Sequence, residues 1–395
     1  MHNPQESQLT ISPDDSAPIL VAPSAEPPLA RRRADVEAKQ TIIARIMAEL
    51  ECEAVILLMP AHVSWFTGNL TPRGLFADTE RPGIYTNGIQ RWLIASNTDS
   101  LRAFDEDLDG LGFQLKEWQW ANGRGSTLGD LIAGRKVAVD RPYPGLPLIN
   151  DRLRPELRPL SAFEHEQMDH LGRVLVHALE ATAKDLSPGM TEADVAGQVA
   201  HRILRRGAMS EQVSVLADDR GALYKRAGAT QAVIQQGAIL QATAAMYGLH
   251  ATASRTVRFG PPSADWQTAF VTACKLSAVH RSMAKPHESM GTAGEAGRWL
   301  LANGPNEFDW RLSQPGYGTG RLAAEELRRM GQDEPFVPGQ AIVWQARIGP
   351  AAIVDTVIVT PDGPRPVTPP EDWPFKRIRL KDRVVDVPDV LIRSP

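Results

Sequence analysis

Residues 239–260 read ILQATAAMYGLHATASRTVRFG, and the reading of this stretch decides the fold. Two runs, 238–243 and 254–259, are rich in small and β-branched residues and lack a helical period. They predict two buried strands. Polar residues punctuate them and their surroundings: Gln241, Thr243 and Thr252, joined later in the chain by Gln345. A polar group in a buried strand costs free energy unless it is hydrogen-bonded. Either these side chains hold each other or they line a cavity.

Upstream, Met168, Leu171, Leu175, Ala178 and Leu179 share one face of a long amphipathic helix. A Pro188-Gly189 turn follows, and Thr191 with Asp194 predicts a capped second helix carrying Val195, Val199 and Ile203. His165, His170, His177 and His201 lie on or beside these helices. His170 and His177 are two turns apart, too far to share an ion, so the group reads as partly exposed helix histidines. Downstream, helices are expected near 264–284, 292–303 and 321–330, and strands over 341–348 and 352–360. GYGTG at 316–320 has no following P-loop lysine and is preceded by Ser313-Gln314-Pro315. It reads as a tight turn that uses glycine's positive φ, not as a phosphate loop.

The first half has a different texture. Residues 1–30 contain six prolines and no Lys or Arg, which predicts a disordered tail through residue 32. ARRRAD (30–35) opens a solvated helix continued by Ile42, Ile43, Ile46, Met47 and Leu50. Strands at 54–58, 91–96, 112–118 and 135–140, separated by turn and helix signals, predict an α/β domain over 33–158. Arg141–Pro159, with five prolines, reads as a linker. A second domain spans 159–368, and 369–395 is an extension that packs as a short strand or reaches towards a partner. Trp92, Trp118 and Trp120 fit either a core or an interface.

Composition narrows the function classes. A chain of 395 residues exceeds one ordinary core. A net charge of -4 argues against a nucleic-acid partner. Cys52 and Cys274 form no CxxC, so no disulfide framework or thiolate zinc site is indicated, and a reducing, cytoplasmic setting is expected. No apolar run approaches the ~20 residues of a membrane span, and no signal-peptide pattern opens the chain. GxSxG and HExxH are absent.

The order of elements resembles the superfamily of methionine aminopeptidase, Xaa-Pro dipeptidase and creatinase. The resemblance rests on SWFTGN (64–69), the paired helices of 164–208 with their Pro-Gly and Thr-Glu, TASRTVRFG (252–260), VPGQAIVWQ (337–345) and VDTVIVTPDG (354–363). It implies an α/β (α+β) chain: an N-terminal creatinase-like α/β domain followed by a C-terminal pita-bread domain. Relatives of this kind imply a homodimer. The family's metallopeptidases hold two divalent ions through two aspartates, one histidine and two glutamates. Here those positions carry Thr243 (or Gln241 in a shifted register), Thr252, Tyr317, Gln345 and Val354. No anion remains there to balance a divalent ion, so no metal and no other cofactor is expected. The metal-free creatinase branch fares no better. Its base histidine falls near Arg226, its gripping glutamates at Ser254 and Gln345, and a further histidine at Ala324.

Tyr224, Lys225, Arg226, Tyr247, His250, Arg255, Tyr317, Gln345, Arg347 and Asp355 remain around the implied pocket. If Arg226 and Arg255 face it, a small anionic ligand fits, because guanidinium pairs with carboxylate in two-pronged fashion. His250 is the one group of this set that titrates near neutral pH, and with Tyr317 it is the catalytic candidate. The expectation is a catalytically divergent, peptidase-like binding or interaction module. The alternative is a metal-independent hydrolase or lyase acting on a C–N or amide bond of a small anionic substrate. A metal-dependent Xaa-Pro peptidase is the remote reading.

Overall fold

The structure is a computed structural model that describes residues 29–394 except 69, 71–79, 325–327, 330–331 and 382. The expected tail up to Pro28, and Asn69 of SWFTGN, lie outside the described residues.

The first helix, α1 (Leu29–Glu49), starts inside the expected tail and turns Val36, Ile43, Ile46 and Met47 into a core. Its opening is less solvated than the basic run suggested. Arg33 donates to the Gly110 carbonyl at 2.8 Å, and Asp35 and Lys39 are buried. There follow β1 (Ala54–Leu57), α2 (Pro60–Thr67), β2 (Gly83–Thr86), β3 (Arg91–Ser96), α3 (Ser100–Arg102), β4 (Gln114–Trp118), α4 (Gly125–Ile132) and β5 (Val137–Val139). They form a five-stranded mixed sheet in the order β4-β3-β2-β1-β5. All four expected strands are there; β2, a short GIYT segment, is added. Trp118 is in the core, Trp92 is half-buried and Trp120 is exposed.

Arg141–Pro159 is not a plain linker. It contains α5 (Asn150–Leu157) with Pro155 inside it. Ile149 and Leu153, one helical turn apart, are fully buried in the first core, and that burial outweighs the proline's cost to so short a helix.

The second half begins with α6 (Ala162–Asp185) and α7 (Glu192–Leu204), each opened by a capping box, Ser161 with Glu164 and Thr191 with Asp194. Then come β6 (Met209–Ala217), α8 (Arg220–Leu223), β7 (Gly237–Met246), β8 (Leu249–Phe259), α9 (Ala264–Ser282), α10 (Met290–Leu301) and β9 (Gly316–Thr319). The chain closes with β10 (Arg328–Arg329), β11 (Gln332–Asp333), β12 (Ala341–Ile348), β13 (Ala351–Thr360), β14 (Gly363–Pro366), β15 (Phe375–Arg379), β16 (Val384–Pro388) and β17 (Val390–Arg393).

Two four-stranded sheets carry this half, β17-β8-β7-β6 and β14-β13-β12-β9. Leu240, Ala242, Ala244, Ala251 and Ala253 face α6 and α7 in one core, where small side chains let the helices approach closely. Phe270, Ala273 and Leu276 of α9 cover the other sheet against Ala346, Ile348 and Ile353. β8 and β13 meet edge to edge. The Thr252 N–H donates to Thr356 Oγ1 at 2.9 Å, and the Val354 N–H donates to Ser254 Oγ at 2.8 Å.

Two expectations change here. GYGTG is not a turn but the strand β9, and glycine is needed because a Cβ at Gly316 would lie 2.4 Å from the Val343 carbonyl oxygen. The helix expected near 321–330 is not formed at its described residues. Arg321 is held by the Leu157 carbonyl at 2.7 Å, and Arg328–Arg329 pairs with Gln332–Asp333 instead. The C-terminal extension takes the packed option: β15 and β16 form a hairpin, and β17 adds to β8 in parallel.

Glu164 ties the two halves together. Its carboxylate accepts from Lys39 Nζ on α1 at 2.9 Å and from Arg321, and Lys39 also pairs with Asp35. These side chains are nearly sealed from solvent. Arg321 and Lys39 hold the Glu164 carboxyl down at about 2 although burial alone pushes it up.

Candidate ligand site

The β7–β8 hairpin turns at Tyr247-Gly248, with φ of 54° and 71°. Both central residues are left-handed, the mark of a tight two-residue turn. A positive φ is costly for a bulky aromatic residue. The tip is constrained from outside as well: a Cβ at Gly248 would fall 1.6 Å from Ser64 Oγ on α2. This turn sets the register that the sequence left open. Thr243 faces Thr252, Gln241 faces Ser254, and Ala245 faces His250.

The face opposite the helices is therefore polar. Thr243 and Thr252 join hydroxyls at 2.9 Å, and the Tyr317 hydroxyl on β9 donates to Thr252 Oγ1 at 3.4 Å. Gln345 and Val354 are direct partners across β12 and β13, with Val354 fully buried. Arg347, two residues after Gln345 on the same face of β12, reaches to the other sheet. Its guanidinium donates to Gln241 Oε1, and its Nε lies 3.5 Å from Gln345 Oε1. The polar punctuation is thus hydrogen-bonded internally: the threonines hold each other, and the glutamines hold an arginine.

Burial governs the electrostatics. Arg347 is 8% exposed, and desolvation lowers its guanidinium to about 10, with the Arg226 charge adding to the fall. Burial pushes the Tyr317 phenol above its ordinary range, while the Thr252 hydrogen bond and the Arg347 and Arg226 charges oppose that rise. His250 sits on the same strand face as Thr252. Its Nδ1 lies 2.9 Å from the Gly320 carbonyl oxygen, which makes Nδ1 the protonated nitrogen. Burial lowers its pKa, so the ring is neutral at pH 7 and Nε2 keeps its lone pair. The Tyr317 hydroxyl is turned to Thr252, not to His250.

Several expected members stand elsewhere. Arg255 is the main correction. It is one residue out of phase with Thr252 and Ser254, so the strand's period of two sends it to the helix side. There it is 1% exposed and pairs with Glu180 of α6 at 2.9 Å. Asp355 lies in the same buried group, 3.6 Å from Arg255 and 3.7 Å from Arg281. Tyr224 is exposed and stacks under the Arg220 guanidinium at 5.0 Å. Lys225 is tied to the Gly349 carbonyl at 2.6 Å, and Tyr247 is occupied by the turn. Arg226 is exposed, yet its charge reaches both Arg347 and Tyr317.

One structural residue was missed from sequence. Glu192, in the first turn of α7, is fully buried. Its carboxylate accepts from the Ala217 N–H at 2.8 Å, Arg220 Nε at 2.8 Å, and the Thr230 N–H and hydroxyl at 2.9 and 2.6 Å. It thereby pins both ends of the segment that carries Tyr224, Lys225 and Arg226. Its signal was the Thr-Glu pair after Pro-Gly, read only as a helix start.

Residues 166–361 match the family described as Metallopeptidase family M24. Among solved structures, the fold is similar to an Xaa-Pro dipeptidase from Bacillus anthracis, with a TM-score of 0.70 at 16% identity over 91% of this chain and 100% of that one. Dipeptidase PepE from Mycobacterium ulcerans gives 0.70 at 18% identity over 91% and 98%. The N-terminal domain of FACT complex subunit SPT16 from Cicer arietinum gives 0.60 at 11% identity over 87% and 97%. Among curated proteins, none is significantly similar in sequence. The family match lies in the second half of the chain, and the likeness to these solved structures shows a prolidase-like, pita-bread fold.

The five positions that the resemblance sets against the family's metal ligands carry three hydroxyls, a carboxamide and an apolar valine. Among the described residues, no group of three or more His, Cys, Asp or Glu side chains is gathered as a metal site. Neutral oxygens that already bond one another do not suit a pair of divalent ions, whose charge needs carboxylates. No helix of the described residues is long and apolar enough to cross a membrane.

Proposed function

We propose that this chain is a peptidase-like binding or interaction module, in which the pita-bread framework is kept and the hydrolytic centre is replaced. The observation that carries the reading is the hydroxyl chain Thr243–Thr252–Tyr317, with the apolar Val354 fully buried opposite Gln345. A metallopeptidase needs open, anionic ligands at such positions, and here the oxygens are neutral and mutually satisfied. That a domain of a FACT complex subunit has a similar fold supports an assembly or binding role for this framework. A homodimer and a small anionic ligand belong to the same proposal.

The test is elemental analysis of purified protein, thermal melts with Mn²⁺, Co²⁺ and Zn²⁺, and Xaa-Pro dipeptide hydrolysis. Any ion that binds only the native state must raise its melting point. No stoichiometric metal, no shift and no hydrolysis are expected. Two ions per chain or metal-dependent turnover would return the protein to the peptidases its fold resembles. Light scattering on the same sample reads the dimer.

A second reading rests on His250. A neutral, partly buried imidazole with Nδ1 fixed on a carbonyl is arranged to act as a base through Nε2. It would serve a metal-independent hydrolase or lyase, with Tyr317 as the acid. Screening amide and amidine substrates against wild type and His250→Ala tests it: turnover that survives the substitution removes His250 from the chemistry.

A further inference from the structure

We propose that Arg347 is the anchor of a carboxylate-binding subsite between the two sheets, taking the carboxylate of a small organic acid. This deepens the binding reading above and rests on it.

Three buried arginines in this protein face carboxylates, Arg255 with Glu180, Arg321 with Glu164, and Arg281 near Asp355, whereas buried Arg91 is held by the Leu111 carbonyl and the Gln40 carboxamide. Arg347, at 8% exposure, lies on the polar face between the two sheets and also has only neutral partners, the carboxamide oxygens Gln241 Oε1 and Gln345 Oε1. Among the described residues no carboxylate lies within ion-pairing distance of it, and its second amino group, Nη1, has no hydrogen-bond acceptor. Burying a guanidinium without a counter-charge is expensive, and neutral amides repay only part of that cost.

The arrangement is also preorganised. Gln241 on β7 and Gln345 on β12 grip the guanidinium from two different sheets, so its plane is fixed before any ligand arrives. A fixed, planar fork with a free edge matches the two oxygens of a carboxylate. Arg226 adds positive potential, and the Tyr317 phenol stays protonated near neutral pH, so it remains a donor. The polar strand positions beside Gln241 and Gln345 are Thr243, Thr252 and Ser254, none of them acidic.

Matched pairs of probes test this: benzoate against benzamide, and N-acetylglycine against its amide, at constant ionic strength. Binding is read by thermal shift and calorimetry on the full chain in 1,10-phenanthroline, a neutral chelator, since EDTA is itself a carboxylate. The acids are expected to raise the melting point and the amides are not. Arg347→Lys keeps the charge but loses the fork, and should weaken binding at least tenfold. Gln241→Glu places a carboxylate on Arg347 from within. That variant should melt higher than wild type without ligand and lose its response to benzoate.

Equal protection by acid and amide overturns the proposal. So does equal protection by sulfate, which would show that only charge is read, or a benzoate response that survives Gln241→Glu. The wild-type comparison and Gln241→Glu do not depend on Arg347 variants folding. Metal binding in the separate assay would sink the binding-module reading and leave the benzoate result standing. A silent benzoate titration with no metal would sink the subsite alone.

Discussion

Thr243 and Thr252 face each other across the β7–β8 ladder with their hydroxyl oxygens 2.9 Å apart, a distance that two neutral side chains tolerate and two carboxylates do not. One hydroxyl donates to the other and no charge is buried. In a double Thr243→Asp, Thr252→Asp variant, two like charges about 4 Å apart would repel by about 4 kcal/mol at an effective dielectric of about 20. One carboxyl would hold its proton well above the usual range. The variant should therefore be less stable than wild type at pH 8, recover much of the difference near pH 5, and gain in melting point with Mn²⁺. Melts at the two pH values, with and without the ion, read all three effects.

Arg255 acts in folding, not in ligand capture. Arg255→Met would strand Glu180 and Asp355 in the core, and removing one partner of a buried ion pair costs about 3–5 kcal/mol. Urea unfolding should show that loss, and adding Glu180→Gln should cost less than the two single changes summed. A normal stability with altered ligand response would contradict the placement.

Glu164 gives the acid limb of stability a defined origin. Its carboxyl lies at about 2 when folded, against an ordinary value of 4.5. Its contribution is thus full above pH 4.5 and is lost as the pH falls towards 2. It is of the order of 3 kcal/mol. Glu164→Gln should melt lower than wild type at pH 7, with the two curves converging as the pH drops. Parallel curves from pH 5 to pH 2.5 would place the acid transition elsewhere.

Tyr317→Phe removes a hydrogen bond of 3.4 Å, so stability should change by about 1 kcal/mol or less. The same variant identifies the phenol in an alkaline titration followed by ultraviolet absorbance. One tyrosine that ionises above the usual range should disappear from the wild-type curve, consistent with the raised Tyr317 value.

Cutting the Glu192 clamp should loosen the 217–230 segment before it unfolds the domain. Glu192→Ala leaves four donors without their acceptor, whereas Glu192→Gln keeps part of the set. Hydrogen exchange should rise at 217–230 in the first variant and less in the second. Loss of several kcal/mol is expected for the alanine, since each buried unsatisfied donor costs about 1–3 kcal/mol.

Much of the architecture was legible without coordinates. The paired strands around 239–260, the amphipathic helix through Met168–Leu179, the capped helix at 192, and the strands over 341–360 follow from periods of two and 3.6 and from capping residues. The misreadings share a cause. Arg141–Pro159 looked like a linker because prolines dominate it, yet Ile149 and Leu153 had a core to enter. GYGTG looked like a turn because glycine usually marks one, yet here a neighbouring strand needed the space. In each case tertiary contact overrode a local propensity.

The sequence alone determined the strand and helix pattern and the face on which each strand residue lies. Even the exclusion of Arg255 was available in the strand's alternation. Only the tertiary structure decided which polar groups become partners. Arg255 and Glu180 are 75 residues apart, and Arg347 and Gln241 are 106 apart. Periodicity and capping act within one turn or two pleats, so they are written in neighbouring residues. The choice of an amide or a carboxylate for a buried guanidinium is made where distant strands meet, and only there does an ion-paired arginine such as Arg255 differ from one held by carboxamides such as Arg347.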